Sequence, residues 1–198
     1  MSAVIDIFKK RRTQYALGDQ LPMSRDAVKE LVREAVREAP SAFNSQSSRV
    51  VILFGEEHRK LWNITRETLR AIVPAENFPA TDAKIDSFAA GAGTVLFFED
   101  KAVIRKLQED FPLYADKFPV FSDNAAGMAQ FAVWTALAGA DIGASLQHYH
   151  PLIDGEVAKA WGLPEDWQLS AQMPFGSHQK EIGAKEYMDN DARFRVFG

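Results

Sequence analysis

Residues 40–53 read Pro-Ser-Ala-Phe-Asn-Ser-Gln-Ser-Ser-Arg-Val-Val-Ile-Leu, a turn crowded with hydroxyls and amides that runs straight into a β-branched, apolar segment. The proline stops whatever helix precedes it, and Val-Val-Ile-Leu fits a buried strand. Asn44, Ser45 and Gln46 stand at the mouth of that strand. The Asn and Gln side chains each combine an amide donor with a carbonyl acceptor, which suits the mixed edge of a flat heterocycle such as a flavin or a nucleobase. The other reading is a polar turn that only leads into a strand, an ordinary arrangement.

Upstream, Ser24 caps a predicted helix over 24–39 that places Val28, Leu31, Val32, Ala35 and Ala39 on one face and ends at Pro40. Downstream come a strand over 49–55, a helix over 56–73 with Leu61, Ile64, Thr65 and Leu69 aligned, and a shorter helix from Pro79 to Ala90. A second buried strand is expected over 93–99. Between 110 and 119, prolines and aromatics alternate without a period, as in an ordered excursion that walls a pocket or a partner surface.

Residues 123–139 are apolar almost all round, so the helix they form should be buried on every side. In a chain of 198 residues that is easiest if a second subunit supplies part of the wall, and a homodimer with this helix near its centre follows. Gln130 is its conspicuous polar member, either a buried hydrogen-bonding residue or a cofactor contact. Residues 169–174 read as the last core strand, and 193–198 alternate as an edge strand does. The fold class is α+β in one domain spanning 1–198, without repeats, low-complexity tracts or linkers.

Composition narrows the function. A net charge of −4 gives no pull toward nucleic acid or anionic membrane, and the basic run at 9–12 has no aromatic platform beside it. Cysteine is absent, which removes thiolate nucleophiles and Cys-based metal sites. No apolar run is long enough to span a bilayer and no leader-like stretch follows the first basic residues, so a cytoplasmic protein is expected. His148 and His150 lack a third ligand at metal spacing, and no metal is expected. Neither a Gly-x-Ser-x-Gly elbow, a phosphate-binding Gly-x-x-x-x-Gly-Lys-Ser/Thr loop nor a Gly-x-Gly-x-x-Gly turn is present.

Four segments in order carry a resemblance. Arg11-Arg12-Thr13, the Pro-Ser-Ala-Phe-Asn-Ser-Gln loop, the Gly139 to Tyr149 stretch ending Leu-Gln-His-Tyr, and Met173-Pro-Phe-Gly176 resemble the motifs of the FMN-dependent nitroreductase family, closest to its fatty-acid-repression-type branch of small nitroreductase-like oxidoreductases. The resemblance implies a nitroreductase-like fold: a central, mostly antiparallel sheet flanked by helices, with the C-terminal strand exchanged within a homodimer that shares its FMN sites.

It also implies roles. Arg11 and Arg12 offer planar forks and Thr13 a hydroxyl for the phosphate. Asn44, Ser45 and Gln46 would hold the ring, with Leu146 and Gln147 at its edge, Gln130 as a further contact, and Lys185, or else Arg193 or Arg195, reaching it from the C-terminal segment. The family often has a third arginine two places after its Ser/Thr, and here that position is Tyr15. Phe43, Tyr149 and Phe175 are pocket walls or simple core. The implied activity is a two-step hydride transfer: NAD(P)H, a transient electron donor, reduces flavin N5, then leaves, and a small-molecule acceptor such as a nitroaromatic or quinone replaces it. The flavin carries that chemistry and water can supply protons, so no side chain is assigned as catalytic. Two other readings stay open: an FMN-binding redox sensor in stress or lipid signalling with little turnover, and a cofactor-free helical interaction protein.

Overall fold

The computed structural model describes residues 2–198. In chain order the helices are α1 (Ala3–Lys10), α2 (Arg25–Arg37), α3 (Gly55–Arg70), α4 (Phe78–Ala89), α5 (Lys101–Asp110), α6 (Phe118–Gly139), α7 (Asp154–Trp161) and α8 (Asn190–Arg193). The strands are β1 (Leu17–Gly18), β2 (Ser48–Phe54), β3 (Gly93–Asp100), β4 (Gly143–Ala144) and β5 (Trp167–His178).

β3 sets the layering. Its residues are buried from Gly93 through Glu99, because it lies between β5 and β2 and is covered on both faces. The sheet runs β1-β5-β3-β2, with β4 also against β5, and every strand pair is antiparallel. Val95, Phe97, Ala171, Met173 and Phe175 pack with Val28 and Val32 of α2 and Val133 and Leu137 of α6. Leu96, Phe98 and Leu169 point the other way, into Leu61, Trp62, Phe88 and Val157 from α3, α4 and α7. Trp62, Phe88, Phe97, Phe118 and Phe175 are fully enclosed, each contributing about 2–3 kcal/mol by leaving water. The expected α+β class, with helices on both sides of an antiparallel sheet, is what forms.

Local signals account for most boundaries. Ser24 Oγ accepts the Ala27 N–H and starts α2, while Pro79 sits in the first turn of α4, where its missing N–H costs nothing. The expected core strand over 169–174 extends at both ends to become β5. The excursion at 110–119 is partly regular: α5, capped by the Asp100 carboxylate, is followed by a 3-10 helix over Pro112–Lys117. α5 and α7 lack the long apolar stripe that would have marked them in the sequence, burying only Ile104 and Val157 respectively.

Two segments expected to meet a second subunit are left uncovered in the single chain. α6 begins at Phe118, five residues early, and is not buried on every side: Val120, Met128 and Phe131 are exposed along one flank. A groove of about 750 Å³ runs there, with Ile7, Phe8, Met128, Phe131 and Gly139 among its walls. The C-terminal segment makes no strand with its own sheet. Asp189 caps the short α8, and beyond it Val196 and Phe197 stay more than nine-tenths exposed. No helix among the described residues is long and apolar enough to cross a membrane.

Candidate cofactor site

Three of the motif segments converge at one corner. Arg11 ends α1, and the chain then runs extended so that Thr13 bridges Ala144 and the Gln14 N–H reaches the Ala144 carbonyl at 2.9 Å. Ala144 in turn pairs with Phe175, and Gly143 with Gly176. Ser145 N–H bonds Pro174 O, and Gln147 exchanges both backbone hydrogen bonds with Gln172. The Arg-Arg-Thr, Leu-Gln and Pro-Phe-Gly segments are thus adjacent chains in one sheet margin. Gly176 is obligatory there, since a Cβ would collide with the carbonyl of Gly18 on β1.

The corner is cationic and unsatisfied. Arg11 is half-buried, its Nε is sealed from water without an acceptor, and its Cζ lies 4.5 Å from the centroid of the Trp134 ring on α6. Burial and the neighbouring Arg12 charge both push the Arg11 pKa down from its ordinary value. Among the described residues, no carboxylate forms an ion pair with either arginine. A buried N–H with no partner costs free energy, and an acceptor-only anion cures it. The donor set therefore fits a phosphate monoester.

Other residues of the expected set have different surroundings. Gln147 is buried and donates to Ser145 Oγ at 3.0 Å, and Leu146 leans on the core beside α6. Gln130 donates to Ser170 Oγ, which itself donates to Phe97 O, so its amide already has a structural partner. Tyr15 stands exposed with its ring 6.5 Å from that of Phe88. Lys185 lies in the exposed tail, its ammonium 5.0 Å from the centroid of the Tyr187 ring. Of the candidate walls, Phe175 and Tyr149 pack in the core, whereas Phe43 is half exposed.

Asn44, Ser45 and Gln46 sit elsewhere. They precede Ser48, which pairs with Glu99, while the corner lies by Gly93, which pairs with Phe175. The Ala144–Phe175 end of the corner is about 20 Å along β3 from the loop at the ordinary rise per residue, whereas Gln147, whose partner Gln172 faces Leu96, is about 10 Å from it along the strand. The loop is strained: Phe43, Asn44 and Gln46 all have φ near +50°, which costs on the order of 1 kcal/mol for a residue with a Cβ. Local bonds hold it. Ser41 Oγ accepts the Gln46 N–H, and Arg49, paired with Asp100, donates to Gln46 O at 2.6 Å. Phe43 packs on Phe111, Tyr114 and Phe118 with centroids 4.8, 6.1 and 5.4 Å away, so the excursion after α5 does form a wall beside the loop.

Under the loop lies a residue that motif reading missed. The buried Glu99 carboxylate accepts from Ser47 at 2.6 Å, Ser48 at 2.5 Å and Ser122 at 2.7 Å, tying the loop, β2 and α6 together. The available signal was a glutamate closing an otherwise apolar strand, with a serine pair one strand away. Trp134 was likewise read only as bulk in an apolar helix.

A profile of the Nitroreductase family matches residues 8–177. The chain belongs to the nitroreductase family. It is therefore an oxidoreductase, and the branch expected from its motifs includes the proteins HBN1 and FRM2 of Saccharomyces cerevisiae. HBN1 is 38% identical over 196 residues, covering 96% of this chain and 97% of the yeast protein, and the nitroreductase FRM2 is 33% identical over 94% and 93%. Nitroreductase CinD of Lactococcus lactis, solved with 4-nitrophenol, is 48% identical with a TM-score of 0.91 over 99% of this chain and all of that one, and it has also been solved with chloramphenicol and with nicotinic acid. A Desulfovibrio desulfuricans protein solved with FMN is 18% identical over 100% and 99% of the two chains, and its TM-score of 0.73 shows the shared fold.

Proposed function

We propose that residues 1–198 form one FMN-binding domain of a cytoplasmic, homodimeric enzyme that uses NAD(P)H to reduce nitroaromatic or quinone acceptors. The observation that carries this reading is the sealed, acceptor-less Arg11 Nε beside Arg12 and Thr13. Arg11, Arg12 and Thr13 hold the phosphate; Leu146, Gln147 and the Pro174 to Gly176 segment border the flavin; Asn44, Ser45 and Gln46 grip the ring. Gln130 and Lys185 remain outer candidates. Bound there, FMN supplies hydride chemistry at N5 in two half-reactions, first with the nicotinamide and then with the acceptor.

The separation between corner and loop favours a site built from two subunits. The Ala144 end of the corner and the Asn44 loop lie at opposite ends of β3, so one chain does not set them face to face. A two-fold partner that sets its loop against this corner resolves the mismatch, and the exposed apolar flank of α6 and the unpaired C-terminal segment are surfaces such a partner would cover. The loop amides then orient the ring and exclude water, while the Phe43 wall provides a flat apolar surface for a planar acceptor. The ligands solved with CinD support the substrate class: two carry nitro groups and nicotinic acid shares the pyridine ring of nicotinamide.

The test is a visible spectrum and an assay. The purified protein should be yellow, retain FMN through gel filtration, and oxidise NAD(P)H steadily only when 4-nitrophenol, chloramphenicol or a quinone is present. A colourless protein refutes the cofactor. Retained FMN without turnover leaves the redox-sensor reading in its place.

A further inference from the structure

Arg11 presents a physical puzzle. A guanidinium without a carboxylate partner ordinarily keeps its head in water and buries only its stem. Here the Nε is sealed as well, and the planar head lies over the Trp134 ring at 4.5 Å. The indole face attracts the cation through its quadrupole, yet it accepts no in-plane hydrogen bond, so the Nε–H stays unsatisfied.

Trp134 has the same defect. Its own Nε1, a donor with no accepting capacity, is buried without a partner. Two sealed donors therefore belong to one stack, and Arg12 adds a second positive charge to the next residue. The pKa of Arg11 is lowered, first by burial and then by the Arg12 charge, the direction expected of a cation that an anion would favour. The stack is also firmly mounted. Trp134 packs against the core formed by α2, α6 and the sheet, and Arg11 is fixed between the end of α1 and the Thr13 bridge.

We propose that Trp134 is a positioning residue for the phosphate of the flavin: its ring face fixes the plane of the Arg11 guanidinium, and its Nε1–H is a second buried donor to the same phosphate. This rests on the FMN reading above. The consequence is specific, because Trp134 acts on the phosphate and not on the isoalloxazine ring. Its contribution is present for FMN and missing for riboflavin, which has the same ring and ribityl chain without the phosphate.

The experiment titrates flavin-stripped full-length protein with FMN and with riboflavin, following flavin fluorescence. Trp134→Leu should weaken FMN about tenfold, the scale of a desolvated cation–π contact plus one charged hydrogen bond, and leave riboflavin within about twofold. Trp134→Phe keeps an aromatic face and the packing but loses the N–H, and should weaken FMN by about threefold with riboflavin unchanged, so a poorly folded leucine variant does not spoil the test. In Arg11→Lys, which has no planar head to stack, adding Trp134→Leu should cost FMN clearly less than it does in the parent.

Equal losses for both flavins, or no loss of FMN binding in either Trp134 variant, overturn the proposal while leaving the FMN assignment intact. A parent protein that binds neither flavin overturns the FMN assignment and this inference together.

Discussion

Ser47 Oγ lies 2.6 Å from Oε2 of Glu99, a carboxylate 3% exposed, although 52 residues separate the two in sequence. Ser122 reaches the same oxygen from α6, and Ser48 takes the other. This clasp fastens the strained Asn44 loop to the sheet and to the long helix at once. Glu99→Ala leaves three hydroxyls without their acceptor and should lower unfolding free energy by about 3 kcal/mol in urea, with FMN retention falling alongside. Glu99→Gln keeps one accepting oxygen and should cost less than half as much. An unchanged urea midpoint in Glu99→Ala would show that the clasp contributes nothing.

Backbone and side chain of the loop can be separated. Gln46→Gly removes the penalty of a left-handed φ and should stabilise the fold by up to about 1 kcal/mol, offset in part by the freer unfolded chain, while FMN binding weakens. Asn44→Ala should weaken FMN about tenfold, as expected for the loss of hydrogen bonds to a bound ring, with little change in stability. Equilibrium dialysis reads both. Full flavin occupancy in the two variants rules out the loop as a ring contact.

A shared site predicts complementation. At an FMN concentration that fills the parent but not a site weakened about tenfold, Arg11→Ala homodimers and Asn44→Ala homodimers should each be nearly empty, but unfolding and refolding them together makes half the dimers hybrid. Each hybrid has one intact pairing of corner and loop, so occupancy should return to about a quarter of the parent value. No recovery means that each site is built within one chain.

His58 sets part of the acid sensitivity. Its Nε2 faces the Ala89 carbonyl, so that nitrogen carries the proton, and Nδ1 accepts from Thr94 Oγ1, which also accepts from the Trp62 indole. Burial, the largest cause, lowers its pKa to about 4 from 6.5. The unfolded chain therefore takes up a proton before the folded one does. Stability is complete above pH 6.5, declines as pH falls toward about 4, and loses roughly 3 kcal/mol across that window. Urea titrations at pH 7 and pH 5 should differ by about 2 kcal/mol in the parent from this group, and His58→Gln should remove that part of the slope. An identical slope in the variant would assign it to other groups.

Much of this architecture was legible because local rules and tertiary packing agree. The Ser24 cap, Pro40, the β-branched run at 50–53 and the apolar run of β3 each pointed to the element that forms. The alternating pattern at 193–198 has no strand partner within the single chain, since alternation specifies a strand only where an edge is there to receive it. α6 was recognised as apolar, but which flank stays open depends on what packs against it.

For the site, the sequence by itself determined the chemical inventory: paired arginines, the amide loop, the Leu-Gln turn and the absence of thiols or a nucleotide-binding glycine loop. Only the tertiary structure decided that the arginine pair and the Leu-Gln turn meet the Pro-Phe-Gly segment at one corner while the amide loop lies toward the other end of β3, because antiparallel pairing brings distant residues together and carries neighbours apart. It also decided that Glu99 and Trp134 matter. A carboxylate closing a strand and an indole in an apolar helix look like packing until burial shows which polar atoms have partners and which do not.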